Sequence, residues 1–521
     1  MPSRDLPARP NLDHLKNEAK ALQKSFRGGD TDARERVRRT LGESLDSSLE
    51  QSFKLTDAQR VVAREYGFLT WVALRAHVQA SRSIAEAIDT FLAAVQAQDL
   101  ARAKQILRTR PRIASESLHV AAALGLADEV KRWITAEPSR VRERAGNPPA
   151  DPLLFLGYSP FHGDSAERDA GLLASAQLLL DAGADPNTKD ERYGVPVLYA
   201  VTGMRSVLPI ARLLLDAGAN PTDGESVYHA AEYFHEDALK LLLDAGADLN
   251  ATGEWGNTPL TFLLRWFDVE RQTTVRKGLV WLLDHGADPN VRSGKERESA
   301  LHVAVRRGQH PAIIRLLLER GADIHSRRDD GSTPWLLARR GGLDEIASLL
   351  ESAGAEPQPL SNLDLLLGAC GRGDAEAARR LTSPELVAAL SEEDLARLPE
   401  AAAERSDARV TAYLAAGFPA DATDGMRATA LHHGAIHGRA AMVRALLAAG
   451  ARVDLRDSEH SATPLGWATF GVDYVADSDG DYEGSARALL EAGARLSENE
   501  APPKHVGVRA LLHQFGETNT Q

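Results

Sequence analysis

Cysteine is nearly absent. Cys370 stands alone, so the chain can form no internal disulfide. The opening MPSRDLPARPNLDHLKNEAK also lacks the apolar stretch of a secretory signal, and together these place the expected location in a reducing cytoplasm. There is no excess of basic charge: 61 Lys and Arg face 74 Asp and Glu, a net charge of −13. That balance argues against general affinity for nucleic acid or anionic membranes. Long apolar runs are missing too, since even GLVWLLDHGA is broken by Asp284 and His285, so no membrane span is expected. Aromatics amount to 12 Phe, 7 Trp and 9 Tyr in 521 residues, which leaves Leu and Ala to build the core and suits short, closely packed helices. With 43% hydrophobic and 26% charged residues, general disorder is excluded.

What the chain has is repetition. LLLDAGADPN at 178–187 returns as LLLDAGANPT, LLLDAGADLN, WLLDHGADPN and LLLERGADIH, then more loosely to LLEAGARLS. The shared glycines are Gly183, Gly218, Gly246, Gly286, Gly321, Gly354, Gly417, Gly450 and Gly493. Their spacings of 35, 28, 40, 35, 33, 63, 33 and 43 centre on about 33 once the 63 is read as a double step. LDLLLGACGRGDAEAARRL fills that double step, and two glycine-less units lie upstream, so about twelve units are expected over 82–498.

Each unit reads as helix, tight turn, helix and extended turn. Thr258-Pro259, Thr333-Pro334 and Thr463-Pro464 place a capping hydroxyl ahead of a proline at the first helical position. Gly308 and Gly438 close the first helix, and the glycine of each GA pair closes the second, so Gly321 is expected in a left-handed conformation. Three insertions interrupt the period, near 150–175, 265–280 and 471–485. Residues 1–81 do not repeat; they carry amphipathic helices, hold 14 basic and 11 acidic residues up to position 80, and read as an N-terminal cap, with 499–521 as its C-terminal counterpart.

The pattern resembles the ankyrin repeat, and ESALHVAVRRGQHPAIIRLLLERGADIHSRRDDGSTP at 298–334 is its nearest match. The resemblance implies an all-α solenoid with short hairpin-like loops and helical end caps, elongated, curved and monomeric. Similar leaders precede such arrays in bacterial proteins, which points to a bacterial source. It implies a binding surface on the concave side and neither shared catalytic residues nor a cofactor. The histidine of its TPLH motif supports a turn, which assigns His119, His302 and His432 to structure. Trp335, at the motif's leucine position, is expected to be buried.

By the same register the inward positions of the first helices are Tyr199; His229, Glu232 and Tyr233; Phe262, Arg265 and Trp266; Arg306 and Arg307; Arg339 and Arg340; Arg405; His433 and His437; and Trp467 and Phe470. Aromatics gather here in an aromatic-poor chain, either as padding between helices or as a binding stripe. Arg306, Arg307, Arg339, Arg340 and Arg405 form either a cationic stretch for a carboxylate or phosphate or ordinary solvated charge. His433 and His437 are four residues apart on one helix, with Gly434 expected to leave open space beside them. They read as structural or peptide-contacting residues, or as a catalytic pair if the protein is an enzyme. A third metal ligand is missing locally, so no metal site is assigned. The acidic run Asp477-Ser-Asp479-Gly-Asp481-Tyr-Glu483 lacks the glycine and distal glutamate of a calcium loop and is expected to be a solvated insertion.

Two functions follow. The first is an interaction scaffold that holds a peptide or protein segment in the groove, without nucleic acid, membrane or cofactor. The second is a small-molecule or catalytic pocket lined by the groove's aromatic, His and Arg residues and closed by the insertions.

Overall fold

The computed structural model describes residues 4, 6, 11–41, 53–269, 271–497, 500 and 503–517; the remainder of the expected caps lies outside the described residues. Among the described residues the chain is helical, with isolated β-bridges in place of strands, and no helix is long and apolar enough to cross a membrane. It divides into two compact units that meet in sequence at Ala251 and Thr252.

The first unit opens with helices Leu12–Arg27, Thr31–Leu41 and Leu55–Glu65, whose apolar faces share a core containing Leu22, Phe26, Phe53 and Val62. Glu65, buried beside that core, accepts from Nη2 and Nε of Arg36 at 2.7 and 2.8 Å, which compensates its lost hydration. A continuous helix, Trp71–Gln96, crosses position 81 and carries the chain into the helix pairs. Those pairs include Leu118–Ala123 with Ala127–Ala136, Pro152–Gly157 with Ala166–Asp181, and Ser226–Glu232 with Glu236–Asp244.

The repeat at 298–334, in the second unit, shows why the sequence folds this way. Ser299 caps helix Ala300–Arg306, and its hydroxyl lies 2.7 Å from Nδ1 of His302. His302 Nε2 donates to the carbonyl of Ser332 in the next repeat at 3.2 Å, so the expected structural role holds. His432 repeats the arrangement between Thr429 and Ala462, and His119 bonds the Glu143 carbonyl. Gly321 ends the second helix at φ +88°, in the expected left-handed conformation, and Trp335 is 4% exposed.

A further bond was hidden in the DPN turns. Asn290 donates to the carbonyl of Gly321 at 2.9 Å and accepts from the N–H of Asp323 at 2.7 Å; Asn187 makes the same pair with Gly218 and Asn220. The tripeptide therefore stitches one repeat to the next as well as turning the chain. The hairpin-like loops appear as bridges Lys189↔Pro196, Ser293↔Glu298 and Thr423↔Thr429.

All three insertions enter between the two helices of a repeat. The first precedes Ala166–Asp181, the second separates Pro259–Trp266 from Thr273–Asp284, and the third separates Pro464–Phe470 from Tyr482–Glu491. The third begins as a π-helical turn, Gly471–Val475, at a position where a side chain would collide with the Ile436 carbonyl: a Cβ on Gly471 would lie 2.1 Å from that oxygen. The expectation of a solvated acidic loop is corrected here. Asp473 accepts from the N–H of Lys504 and of His505, and Asp477 is bonded by His437 at 2.7 Å and paired with Arg405 at 3.2 Å. The loop is thus anchored by its carboxylates to the repeat before it and to the segment that follows.

Candidate binding surface

In the first unit the first-helix positions bring an aromatic row together. The ring of Tyr199, on helix Val197–Thr202, lies 6.5 Å from that of Tyr158 and 4.8 Å, edge-on, from that of His229. His229 is clamped between Glu232 at 2.6 Å and Glu225 at 3.3 Å. Burial lowers its affinity for a proton, but the two carboxylates outweigh that and push its pKa up to about 9, so it is an imidazolium at neutral pH. Burial pushes the Tyr199 hydroxyl up to about 12, with nearby Tyr233 and Glu232 adding to the shift. Tyr233, at the end of the same helix as His229, is 49% exposed. Tyr158 and Glu225 went unmarked in the sequence because Tyr158 follows its helix inside an insertion and Glu225 precedes the first helical turn.

In the second unit the expected cationic stretch, read either as a site for a carboxylate or phosphate or as solvated charge, is instead paired with the protein's own carboxylates. Glu298 is almost fully buried and receives Arg306 at 2.8 and 3.0 Å, Arg328 at 3.2 Å and Arg265 at 3.3 Å. Burial raises its pKa, but the three guanidinium groups, Arg306 foremost, hold it at about 2. Arg328 also meets Glu393 at 2.7 Å, Arg307 meets Glu400 at 3.5 Å, Arg339 meets Asp344 at 2.9 Å and Arg340 meets Asp364 at 2.5 Å. Arg307, Arg328 and Arg340 thereby cross-link repeats. Asp344 is five residues from Arg339 and Glu298 eight from Arg306, but Glu393 and Glu400 lie 65 and 93 residues from Arg328 and Arg307, where adjacency could not reveal them. Trp266, 65% exposed, is left as an apolar surface beside this network, while Phe262 is half-buried and packs edge-on against Phe267 at 5.8 Å.

His433 and His437 do not converge. His433 Nε2 bonds Asp424 at 2.8 Å, and its ring stands edge-on to Trp467 at 5.3 Å; His437 Nδ1 turns to Asp477. His433 is buried, contrary to the exposed position expected for it. Nor is there open space beside Gly434, where a Cβ would rest 3.4 Å from Met442 Sδ. Trp467 is half-buried and donates to Asp457 at 3.0 Å, whereas Phe470 is exposed and stacks on exposed Tyr474 at 4.7 Å. Among the described residues no group of three or more His, Cys, Asp or Glu side chains could hold a metal ion.

The chain matches family models for ankyrin repeats at three places: a many-copy model over 227–271, a three-copy model over 273–360 and a single-repeat model over 427–458. It is 40% identical over 76 residues to the nuclear factor NF-kappa-B p105 subunit of Gallus gallus, covering 15% of this chain and 8% of that one. The same subunit of Mus musculus is 37% identical over 91 residues, so the chain spans less than a tenth of the length of either. A putative ankyrin repeat protein, YahD of Escherichia coli, is 30% identical over 188 residues, which is 35% of this chain and 74% of the relative. A relative at that identity, covered to that extent, together with the paired helices and glycine-closed turns described above for this chain, establishes that the chain belongs to the ankyrin-repeat family.

Proposed function

We propose that the protein is a cytoplasmic interaction module that holds a peptide or protein segment along the first-helix face of its repeats. The observation that carries this reading is the exposure of large aromatics at those positions in a chain with few of them: Tyr233 and Trp266 at the ends of first helices, and Phe470 stacked on Tyr474. Isolated rings on a surface are ordinary, but exposed aromatics recurring at the ends of first helices supply the kind of anchor that dominates protein interfaces. In the first unit they adjoin Glu225 and Glu232, which suits a segment carrying basic residues. Ankyrin-repeat membership supports protein partners in general.

Selection of a random peptide display library against the full chain tests the proposal. Enriched peptides should be rich in Lys or Arg and lose at least ten-fold in affinity for Tyr233→Ser or Trp266→Ser, with thermal midpoints unchanged. Failure to enrich any sequence, or equal binding by both variants, would overturn it.

A further inference from the structure

The first insertion builds a recess unrelated to the aromatic row. A cavity of about 460 Å³ opens between the turn that follows helix Pro152–Gly157 and the turn joining Val197–Thr202 to Leu208–Asp216. His162, Asp169 and Leu173 line one side, and Arg205, Val207 and Ile210 the other. Its polar groups are unusually short of partners. Arg205 is half-buried and donates to Gln98 Oε1 at 2.8 Å, but among the described residues it forms no ion pair, in contrast to the paired arginines of the second unit. Burial accordingly weakens its hold on its proton. An anion is the missing complement.

His162 is 8% exposed and bonds the Leu156 carbonyl through Nε2 at 2.9 Å. A carbonyl only accepts, so Nε2 carries the hydrogen and Nδ1 offers a lone pair. That atom is buried and has no partner. Burial first, and the neighbouring charge of Arg205, lower the histidine's pKa and keep the ring neutral. His162 lines the recess, and a ligand's hydrogen-bond donor that reaches Nδ1 would satisfy that atom while Nε2 keeps its bond to Leu156. Asp169 uses one carboxylate oxygen for the N–H of Gly163 and places a negative charge at the same mouth.

We infer that this recess binds a free α-amino acid with an aliphatic side chain. Its carboxylate would pair with Arg205, its ammonium would donate to Nδ1 of His162 beside Asp169, and its side chain would lie against Leu173, Val207 and Ile210. The three groups of such a ligand answer the three deficits of the site, and the volume is ample for it.

Titration calorimetry on the full chain with L-leucine, N-acetyl-L-leucine and 4-methylpentanoate tests the assignment. L-leucine should bind; the acetylated form, which keeps the donor and loses the positive charge, should bind at least ten-fold more weakly, and 4-methylpentanoate should not bind. Arg205→Gln should lose L-leucine by ten-fold or more, and Asp169→Asn should narrow the gap between L-leucine and its acetyl form, with thermal midpoints confirming that both variants fold. Absence of L-leucine binding, equal binding of the three compounds, or wild-type affinity in folded Arg205→Gln would overturn the inference. Preference for N-acetyl-L-leucine would do so as well, assigning the recess to a peptide C-terminus.

Discussion

At the scale of single residues, stability is set by conformations and partners that one side chain cannot exchange. Gly321 sits at φ +88° with no atom within 4 Å of an added Cβ, so Gly321→Ala isolates the backbone penalty from any clash. It should cost about 1–2 kcal/mol and lower the thermal midpoint; an unchanged midpoint would contradict the left-handed cap. His229 gives a pH signature. Its pKa is raised to about 9 from an ordinary value of 6.5, so the stability it brings is complete below about pH 6.5 and disappears as pH rises through 9. The shift corresponds to about 3 kcal/mol at most. Urea midpoints measured between pH 6 and 10 should therefore decline in the wild type and stay flatter in His229→Gln. The paired histidines divide differently. His433→Ala removes the side-chain partner of Asp424 Oδ2 and should destabilise by about 1–3 kcal/mol. His437→Ala should instead loosen the 471–485 insertion by leaving Asp477 only its pair with Arg405, which increased proteolysis there would detect.

At the scale of the helix pair, neighbours are joined at their loops as well as along their helices. Replacing Asn290 by Ala removes one bond to Gly321 and one to Asp323, and denaturant unfolding should show a loss of about 1–2 kcal/mol although the side chain is on the surface. A change below 0.5 kcal/mol would show that the stitch is replaceable by water. The helix pairs themselves were legible, because the glycine that ends each second helix and the Thr-Pro that starts many first helices are local signals read within a few residues. The stitch was less so. DPN is adequately explained as a turn until the following repeat is placed beside it, and only then does the Asn290 amide acquire its two partners.

At the scale of the whole chain, repeats depend on their neighbours, so a charge removed from one place should be felt locally. Glu298 serves three arginines, and its pKa of about 2 means that its contribution is complete above about pH 4.5 and is lost as pH falls toward 2. Glu298→Gln should cost about 3 kcal/mol at pH 7. Hydrogen exchange should accelerate around residues 293–340 and leave the helices at 12–41 unchanged; uniform acceleration would contradict nearest-neighbour coupling. This network also marks where sequence reading stopped. The positions of Arg306 and Arg307 on a first helix were readable, but their availability depended in part on Glu393 and Glu400, which reach them only through the folded array. The insertions carry a consequence for how such a chain can change. Each enters between the two helices of a repeat and leaves the asparagine stitches at the other loops in phase. New segments can therefore be acquired or grafted at that side by drift or by design, varying the surface presented there while the period is inherited intact.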